Sequence, residues 1–345
     1  ILAMGVLFVY NSLNRKPLYN STLFYILCGW IFINLLSSLY FGKNIELYQF
    51  VGKTILVYIS YLILTCCNDN FWEKYENFLY KVVVVSSFIY ILSLLMPVLF
   101  NSLTPIFKPF TDDVFYLKES QKHYFYAFFF VYKGGEALFR NNGFMWEPGA
   151  YAMMLNILIA YNLGRYGIHL NKHIKIYVIA LLTTFSTAGY LSLLSLMILF
   201  FLQVQNVYIK VLVVVGGIIS ISWFANLDFL LPKIEQFIES AEKGKVNHQG
   251  YRQLYEANRI LSFKLLLDKF LMFPLGWGCI QDTSSYMALR RIVTVNGLGN
   301  ILVTWGIFGF SFFMYSIYRF FNQYSRSILV GILSLLSVLL LFFSN

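Results

Sequence analysis

The fold is decided by residues 176–203, which read IYVIALLTTFSTAGYLSLLSLMILFFLQ and contain no charged side chain. A helix needs about 20 apolar residues to cross the hydrocarbon core of a bilayer, so this run is too long for one span and too short for two ordinary ones. Gly, Ser and Thr favour turns, and Ser186-Thr187-Ala188-Gly189 lies inside the run. We therefore predict a short helical hairpin with its tip at these four residues.

Apolar runs also lie on both sides of this hairpin. The runs before it are residues 1–13, 18–41, 48–67, 78–100 and 150–163, and those after it are 207–224, 298–321 and 328–343. Counting the hairpin as two, the sequence predicts an all-α fold, a polytopic transmembrane helical bundle of about ten spans in one domain, residues 1–345. Both ends lie inside apolar runs, and we expect terminal segments beyond them.

The composition agrees with a membrane protein. The 345 residues are 59% hydrophobic and 12% charged, whereas a soluble domain carries roughly 25% charged residues and can cover itself with polar surface. The four cysteines, Cys28, Cys66, Cys67 and Cys279, have no metal-ligand spacing. We expect no metal and no cofactor, and we interpret the cysteines as small apolar residues.

Basic residues in short loops predict the orientation, because Lys and Arg are enriched on the cytoplasmic side. With a hairpin at 176–203, the basic residues that fall on one side are Arg15, Lys16, Lys74, Arg165, Lys172, Lys175, Lys210, Arg319 and Arg326. The short connections on the other side carry only Lys43. Treating 176–203 as one long span would reverse every later segment.

Two longer segments, residues 101–147 and 225–295, then share the outer side. They hold 14 of the 26 basic residues of the chain, whose net charge is +10. Nucleic acid is an implausible partner outside a membrane, whereas an anionic lipid-linked substrate suits Arg side chains, which bind phosphate through a fork of donors. The alternative is contact with anionic headgroups of membrane lipids.

Hydrophobic periodicity predicts amphipathic helices at residues 232–241 and 251–270 of the second outer loop. Arg252 and Arg259 would share a face of the second helix, with Glu256 between them. One interpretation is a structural ladder of ion pairs worth a few tenths of a kcal/mol each. The other is a pair of Arg side chains that bind a diphosphate.

The segment Arg140-Asn-Asn-Gly-Phe-Met-Trp-Glu147-Pro148 precedes the run at 150–163. Ionisable groups at a membrane boundary are costly unless they are solvated or paired, so Arg140 and Glu147 are functional-site candidates. Glu147 has a structural alternative, since a carboxylate is also favoured at the positive end of a helix. The sequence has no P-loop, dinucleotide fingerprint or nucleophile elbow.

Four segments in this order resemble the bacterial O-antigen polymerase and ligase superfamily of membrane glycosyltransferases. They are Arg140-x-x-Gly143-Phe-x-x-Glu-Pro148, Thr183-Thr-Phe-Ser-Thr-Ala-Gly-Tyr190, Asn258-Arg259 with Pro274-Leu-Gly-x-Gly278, and Asn296-Gly-Leu-Gly-Asn with Trp305-Gly-Ile-Phe-Gly309. Two positions depart from the ligase pattern. Thr187 follows Ser186 where ligases carry Arg, and Val295 stands where they carry His. The resemblance therefore favours a polymerase with a fold like that of other multi-span (GT-C) glycosyltransferases.

The resemblance implies polymerisation of undecaprenyl-diphosphate-linked oligosaccharide repeats on the periplasmic face of the bacterial inner membrane, for O-antigen, capsule or exopolysaccharide. The alternatives are an O-antigen ligase and a flippase for lipid-linked sugars. A chain-length regulator is a possible protein partner. The residues expected at the catalytic centre are Arg140, Arg259 and Glu147, the last as general base, and those expected to bind substrate are Arg252, Arg290, Arg291, Tyr251 and Lys53.

Overall fold

The computed structural model describes most of the apolar runs and part of the two outer loops. The described residues are 2–14, 16–67, 71–100, 102, 123–127, 130–134, 140–145, 147–166, 171–203, 245–249, 252–256, 259–280, 292–293, 296–325 and 328–344. The predicted span at 207–224 and the predicted helix at 232–241 lie outside them.

Helices dominate this part of the chain. The first four are α1 (Leu2–Leu13), α2 (Ser21–Phe41), α3 (Leu47–Cys67) and α4 (Phe71–Leu95). The next three are α5 (Pro148–Tyr166), α6 (Lys172–Leu182) and α7 (Thr187–Gln203). The last three are α8 (Arg259–Met272), α9 (Gly297–Ser325) and α10 (Ile328–Ser344).

By length and composition, four of the described helices are able to cross a membrane: Ser21–Phe41, Leu47–Cys66, Phe71–Leu95 and Gly297–Gln323. Two shorter apolar helical segments, Thr187–Ile198 and Gly331–Leu340, accompany them. The chain thus has the character of a helical membrane protein. The larger number of about ten spans stays a prediction.

The predicted break inside residues 176–203 is confirmed, although it lies slightly earlier than expected. Helix α6 ends at Leu182 and α7 begins at Thr187, so the turn comprises residues 183–186. Phe185 has a φ of 48°, in the left-handed region that non-glycine residues seldom adopt. The hydroxyl oxygen of Ser186 accepts a hydrogen bond from the Gly189 amide at 3.3 Å and caps the start of α7.

Short strands occur in both outer loops, where we expected helices only. They are β1 (His123–Ala127), β2 (Phe130–Gly134), β3 (Lys245–Gln249), β4 (Arg252–Glu256) and β5 (Ile292–Val293). Strands β1 and β2 are antiparallel with His123 opposite Gly134, and β4 pairs in parallel with β5 through Tyr255 and Ile292. Residues 252–256 pair with a distant segment through their backbone, so the helix that we predicted to begin at residue 251 does not begin there. Local periodicity does not reveal such pairing.

The chain divides into two compact units. Unit 1 comprises Ile1–Glu76, Gly244–Asn247 and Gln253–Phe313, and unit 2 comprises Asn77–Lys243, His248–Arg252 and Met314–Asn345. In unit 1, α1 packs on α3, where the buried Asn11 side chain donates to the carbonyl oxygen of Leu62 at 3.0 Å. A separate cluster in unit 1 joins Leu266, Phe273, Trp277, Ile280 and Val303.

Unit 2 is organised around α5. Side chains along most of this helix are buried, including Tyr151, Leu155 and Tyr161. It contacts α6, α7 and α10, and the Tyr151 hydroxyl lies 3.0 Å from the hydroxyl of Ser86 on α4. Neighbouring helices cover α5 on several sides, so its surface does not have to be uniformly apolar. Polar residues of α5 can therefore lie inside the bundle.

Candidate functional site

The first two segments of the family pattern contact each other in unit 2. The Arg140 guanidinium donates through Nε to the carbonyl oxygen of Thr184 at 3.0 Å and through Nη2 to that of Phe185 at 2.8 Å. Both acceptors belong to the turn between α6 and α7. Because two donors on one planar group are engaged by adjacent carbonyls, the orientation of the guanidinium plane is defined.

Asn141 strengthens the same contact. Its amide N–H donates to the carbonyl oxygen of Thr183 at 2.9 Å, and its side-chain Nδ2 donates to the Thr183 hydroxyl at 2.8 Å. Its Oδ1 accepts from the amide of Gly143 at 2.9 Å. Asn141 is fully buried, so these bonds satisfy groups that would otherwise be costly to bury. We call residues 140–143 and 183–186 together the Arg140 clamp.

Two glycines allow the clamp to lie close to α5. Gly143 has a φ of 54°, and a Cβ at this position would overlap the buried ring of Tyr151. A Cβ on Gly189 would lie 2.6 Å from Cβ of Ala152. The side chain of Asn156 donates to the carbonyl oxygen of Gly189 at 3.0 Å, which ties α5 to the beginning of α7.

Glu147 lies at the start of α5. It precedes Pro148, the first residue of that helix, and Pro is favoured at this position because its φ is already helical. The Glu147 carbonyl oxygen accepts from the Tyr151 amide at 3.2 Å. The side chain is half-buried, at the helix end that stabilises negative charge. Its position is compatible with both interpretations of Glu147, as a base and as a helix-end carboxylate.

The third and fourth segments of the pattern contact each other in unit 1. Helix α9 is interrupted at Gly306, which has a φ of 66° and a ψ of −173°. The amides of Trp277 and Gly278 donate to the carbonyl oxygens of Val303 and Thr304 at 2.8 and 3.0 Å. The Ile307 amide donates to the carbonyl oxygen of Pro274 at 2.9 Å. The loop 274–278 therefore supplies partners for backbone groups that the break releases.

This loop is also attached to α2. Asn34 is fully buried, and its Oδ1 accepts from the Cys279 amide at 2.7 Å. Ser37, one turn further along α2, donates from its hydroxyl to the carbonyl oxygen of Trp277 at 2.8 Å. Gly278 has a φ of 61°, and a Cβ there would collide with the Asn34 amide. Backbone geometry and two buried polar side chains together define the path of the loop.

Lys53 lies beside this loop. Its Nζ is 5.7 Å from the centre of the Trp30 ring, and its positive charge acts on the Cys279 thiol. Burial raises the pKa of that thiol, and the Lys53 ammonium group partly opposes the shift. Trp30 in turn packs against Trp305, with ring centres 4.3 Å apart. In this arrangement Lys53 supports the loop at the α9 break.

The structure describes only some of the other residues that we predicted for the site. Arg252 begins β4 and Arg259 begins α8, so Arg252, Glu256 and Arg259 do not share the face of one helix as predicted. The helix begins at Arg259, after Asn258, a residue type that favours helix starts. Tyr251, Arg290 and Arg291 lie outside the described residues. Within the described part of the chain, no three His, Cys, Asp or Glu side chains form a group able to hold a metal ion.

Sequence reasoning missed the buried asparagines that build these contacts. Asn141 belongs to the Arg140 clamp and Asn34 to the loop at the α9 break, while Asn296 caps α9 by accepting from the Gly299 amide at 2.8 Å. An Asn within an apolar run is expensive to bury without partners. The sequence could have identified Asn34 because it lies within an apolar run. It could have identified Asn296 because that residue directly precedes Gly297, the first residue of α9.

Comparison with known proteins adds no relative. No protein-family model matches the chain, and neither does any curated protein or solved structure. The family therefore stays a prediction that rests on the four sequence segments, two of which are in contact within each unit.

Proposed function

We propose that this protein polymerises undecaprenyl-diphosphate-linked oligosaccharide repeats at the periplasmic face of a bacterial inner membrane. The observation that supports it most is the Arg140 clamp, in which the turn between α6 and α7 orients the guanidinium through two carbonyl oxygens. A cation held in advance costs little reorganisation when charge develops on a leaving group, which is the usual basis of electrostatic catalysis.

In the proposed reaction, a sugar hydroxyl of the incoming lipid-linked repeat attacks the anomeric carbon of the growing chain. The bond from that carbon to the diphosphate oxygen breaks, and undecaprenyl diphosphate leaves with the bonding electrons. Arg140 stabilises the diphosphate, and Arg259 and Arg252 stay candidates for this role on the sequence alone. Glu147 accepts the proton of the attacking hydroxyl, a role typically worth about 100- to 10,000-fold in rate. The proposal needs no metal ion.

The layout of unit 2 favours an outward-facing site. Arg140 contacts the turn near the Pro148 end of α5, while Arg165, Lys172 and Lys175 lie around its other end. Cytoplasmic membrane faces are enriched in Lys and Arg. The Arg140 clamp is then on the side opposite to the cytoplasm, where lipid-linked repeats are joined in the proposed reaction.

The glycan profile of the source bacterium after deletion of the gene tests this proposal. If the protein is a polymerase, we expect the ladder to collapse to single repeats that still reach the surface. Long polymer retained on its lipid carrier would instead identify a ligase, and unextended repeats trapped on the inner leaflet would identify a flippase. An unchanged profile would refute all three functions.

A further inference from the structure

In unit 1, the chain that follows α8 runs along the side of α2, away from the end of that helix. The ring of Phe273 stacks on the ring of Tyr40, next to the last residue of α2, with ring centres 4.7 Å apart. Three residues later, a Cβ added to Gly276 would lie 3.1 Å from the side chain of Ile33. Because a helix rises about 1.5 Å per residue, Gly276 lies about 10 Å inside the end of α2.

The chain then returns to the end of α2. The carbonyl oxygen of Cys279 accepts a hydrogen bond from the Glu46 amide at 2.7 Å. Ile280 forms an antiparallel bridge with Ile45, in the connection between α2 and α3. Helix α2 is one of the helices able to cross a membrane. The segment 273–280 therefore enters the depth of a membrane-crossing helix and leaves it on the same side.

The exposed surface of α8 changes character just before this segment. Lys264 and Asp268 are exposed and charged, whereas Leu271 and Met272, at the end of the helix, are exposed and apolar. Leu275 in the loop is also exposed. A helix on the surface of a soluble protein keeps polar residues on its outward side. The change indicates that the outward surface passes from water into an apolar medium after Asp268.

Helix α9 shows the same change. Asn300 is exposed and polar before the break at Gly306, and Ile307 and Phe308 are exposed and apolar directly after it. The Ile307 amide donates to the carbonyl oxygen of Pro274 at 2.9 Å. The exposed apolar surfaces of α9 and of the loop therefore adjoin each other, and α9 is itself able to cross a membrane.

A Lys and a Trp lie where the surface of α8 changes. The Lys269 Nζ is 4.4 Å from the centre of the Trp277 ring, and Trp277 Nε1 donates to the carbonyl oxygen of Lys269 at 2.9 Å. Trp is enriched at membrane–water interfaces, and Lys extends its charge towards water while its carbon chain covers apolar surface. This pair favours a lipid boundary at Lys269 over a contact with another protein.

The backbone of the loop has the partners that a bilayer requires. Polar backbone groups at membrane depth must be hydrogen-bonded within the protein, because hydrocarbon offers no partner. The amides of Trp277 and Gly278 donate to α9. The Cys279 amide donates to the buried Asn34 side chain, and the Ser37 hydroxyl donates to the Trp277 carbonyl oxygen. An irregular segment with these partners can lie inside a membrane.

We propose that residues 271–280 form a re-entrant loop in the membrane leaflet that adjoins the end of α2. The exposed side chains of Leu271, Met272 and Leu275 contact the acyl chains of that leaflet, and the charged residues of α8 lie in the water above it. The sequence of the segment agrees, since residues 271–280 contain no charged side chain. The proposal does not depend on the reaction that the protein catalyses.

Spin labelling of the whole chain in vesicles of phosphatidylethanolamine and phosphatidylglycerol tests the proposal. A nitroxide is attached in turn to Leu271→Cys, Leu275→Cys and, as the matched control on α8, Lys264→Cys. Its collisions with oxygen, which concentrates in the bilayer, are compared with its collisions with a water-soluble nickel chelate. Phe308→Cys on α9 supplies the reference for a position in lipid. All four side chains are exposed, so the substitutions leave the packed interior intact.

The background for these variants lacks the other cysteines that could react. It carries Cys28→Ser, Cys66→Ser and Cys67→Ser and keeps the buried Cys279. The same background without an added cysteine supplies the blank.

We expect collisions with oxygen to exceed those with nickel at Leu271 and Leu275, as at Phe308, and the order to reverse at Lys264. Nickel access at Leu271 and Leu275 equal to that at Lys264 would overturn the proposal, because the loop would then lie in water. Protection of both positions from both reagents would also overturn it, since another protein surface and not lipid would then cover the loop.

Discussion

Arg140 donates a hydrogen bond of 2.8 Å to the carbonyl oxygen of Phe185, a residue whose φ is 48°. The uncommon backbone conformation of Phe185 and the position of the Arg140 side chain are thus linked through one bond. A strained residue persists only where its surroundings determine its conformation, and such residues cluster at functional sites. Here the hydrogen bonds of Arg140 and Asn141 to the turn hold Phe185 in its conformation.

Asn141 is predicted to act with Thr183 as a unit. Asn141→Ala removes the bond between Asn141 Nδ2 and the Thr183 hydroxyl and leaves the Gly143 amide without its acceptor. We expect a loss of about 1–3 kcal/mol in the free energy of unfolding, measured by denaturation in detergent. Thr183→Val should cost less, and the double variant should cost less than the sum of the two. Strict additivity would show that the bond is absent.

Gly143 is predicted to be intolerant of any side chain. Gly143→Ala places a Cβ against the buried ring of Tyr151 at a position with positive φ, so we expect a loss of about 2–4 kcal/mol. The matched control is Gly42→Ala. Gly42 also has a positive φ, of 61°, but nothing lies within 4 Å of the added Cβ. Thermal unfolding of the two variants should therefore differ clearly, and equal shifts would contradict the described packing.

The break in α9 gives a third prediction. Gly306→Ala would push a Cβ into the carbonyl group of Leu275 and separate the loop 274–278 from the helix. We expect lower thermal stability and faster proteolysis in this loop. Gly52→Ala, in the interior of α3 with open space around it, should instead be neutral or stabilise by up to about 1 kcal/mol. Tolerance of Gly306→Ala would mean that the loop does not dock at the break.

Labelling of Cys279 should depend on pH in a defined direction. The thiolate is the reactive species, and burial raises the pKa of this thiol above its ordinary value of about 8.5. Alkylation near pH 8 should therefore be slow and rise as pH increases. Lys53→Gln removes the cation that opposes the shift, so labelling at a given pH should be slower still, as followed by mass spectrometry. Faster labelling in that variant would contradict the described contact.

The spans were predictable because they depend on local composition. The predicted runs at 18–41 and 48–67 agree within a few residues with α2 and α3, since a long apolar run in a helix needs no distant partner. A turn was predicted at residues 186–189 from their Ser, Thr and Gly content, and the observed turn at 183–186 overlaps it only at Ser186. Strand β4 and the break at Gly306 were missed, because both depend on backbone hydrogen bonds to distant segments.

The sequence identified some residues of the Arg140 clamp, but it did not predict the contacts between them. The sequence placed Arg140 next to a membrane boundary and residues 183–190 at a turn, yet the bond between them joins positions more than 40 residues apart. Asn141 was overlooked because an Asn beside an Arg has no distinctive pattern. Only the buried position of Asn141 and its several hydrogen bonds identify it as part of the clamp.

We propose that the oriented guanidinium of Arg140 supports polymerisation of lipid-linked repeats. The most direct measurement is the glycan ladder of a deletion strain that expresses Arg140→Lys at the wild-type level. Lysine keeps the charge but cannot engage both carbonyl oxygens while presenting a planar fork to a diphosphate. We predict collapse to single repeats, with a loss of polymer of about 100-fold. A full ladder of normal length and amount would contradict the claim.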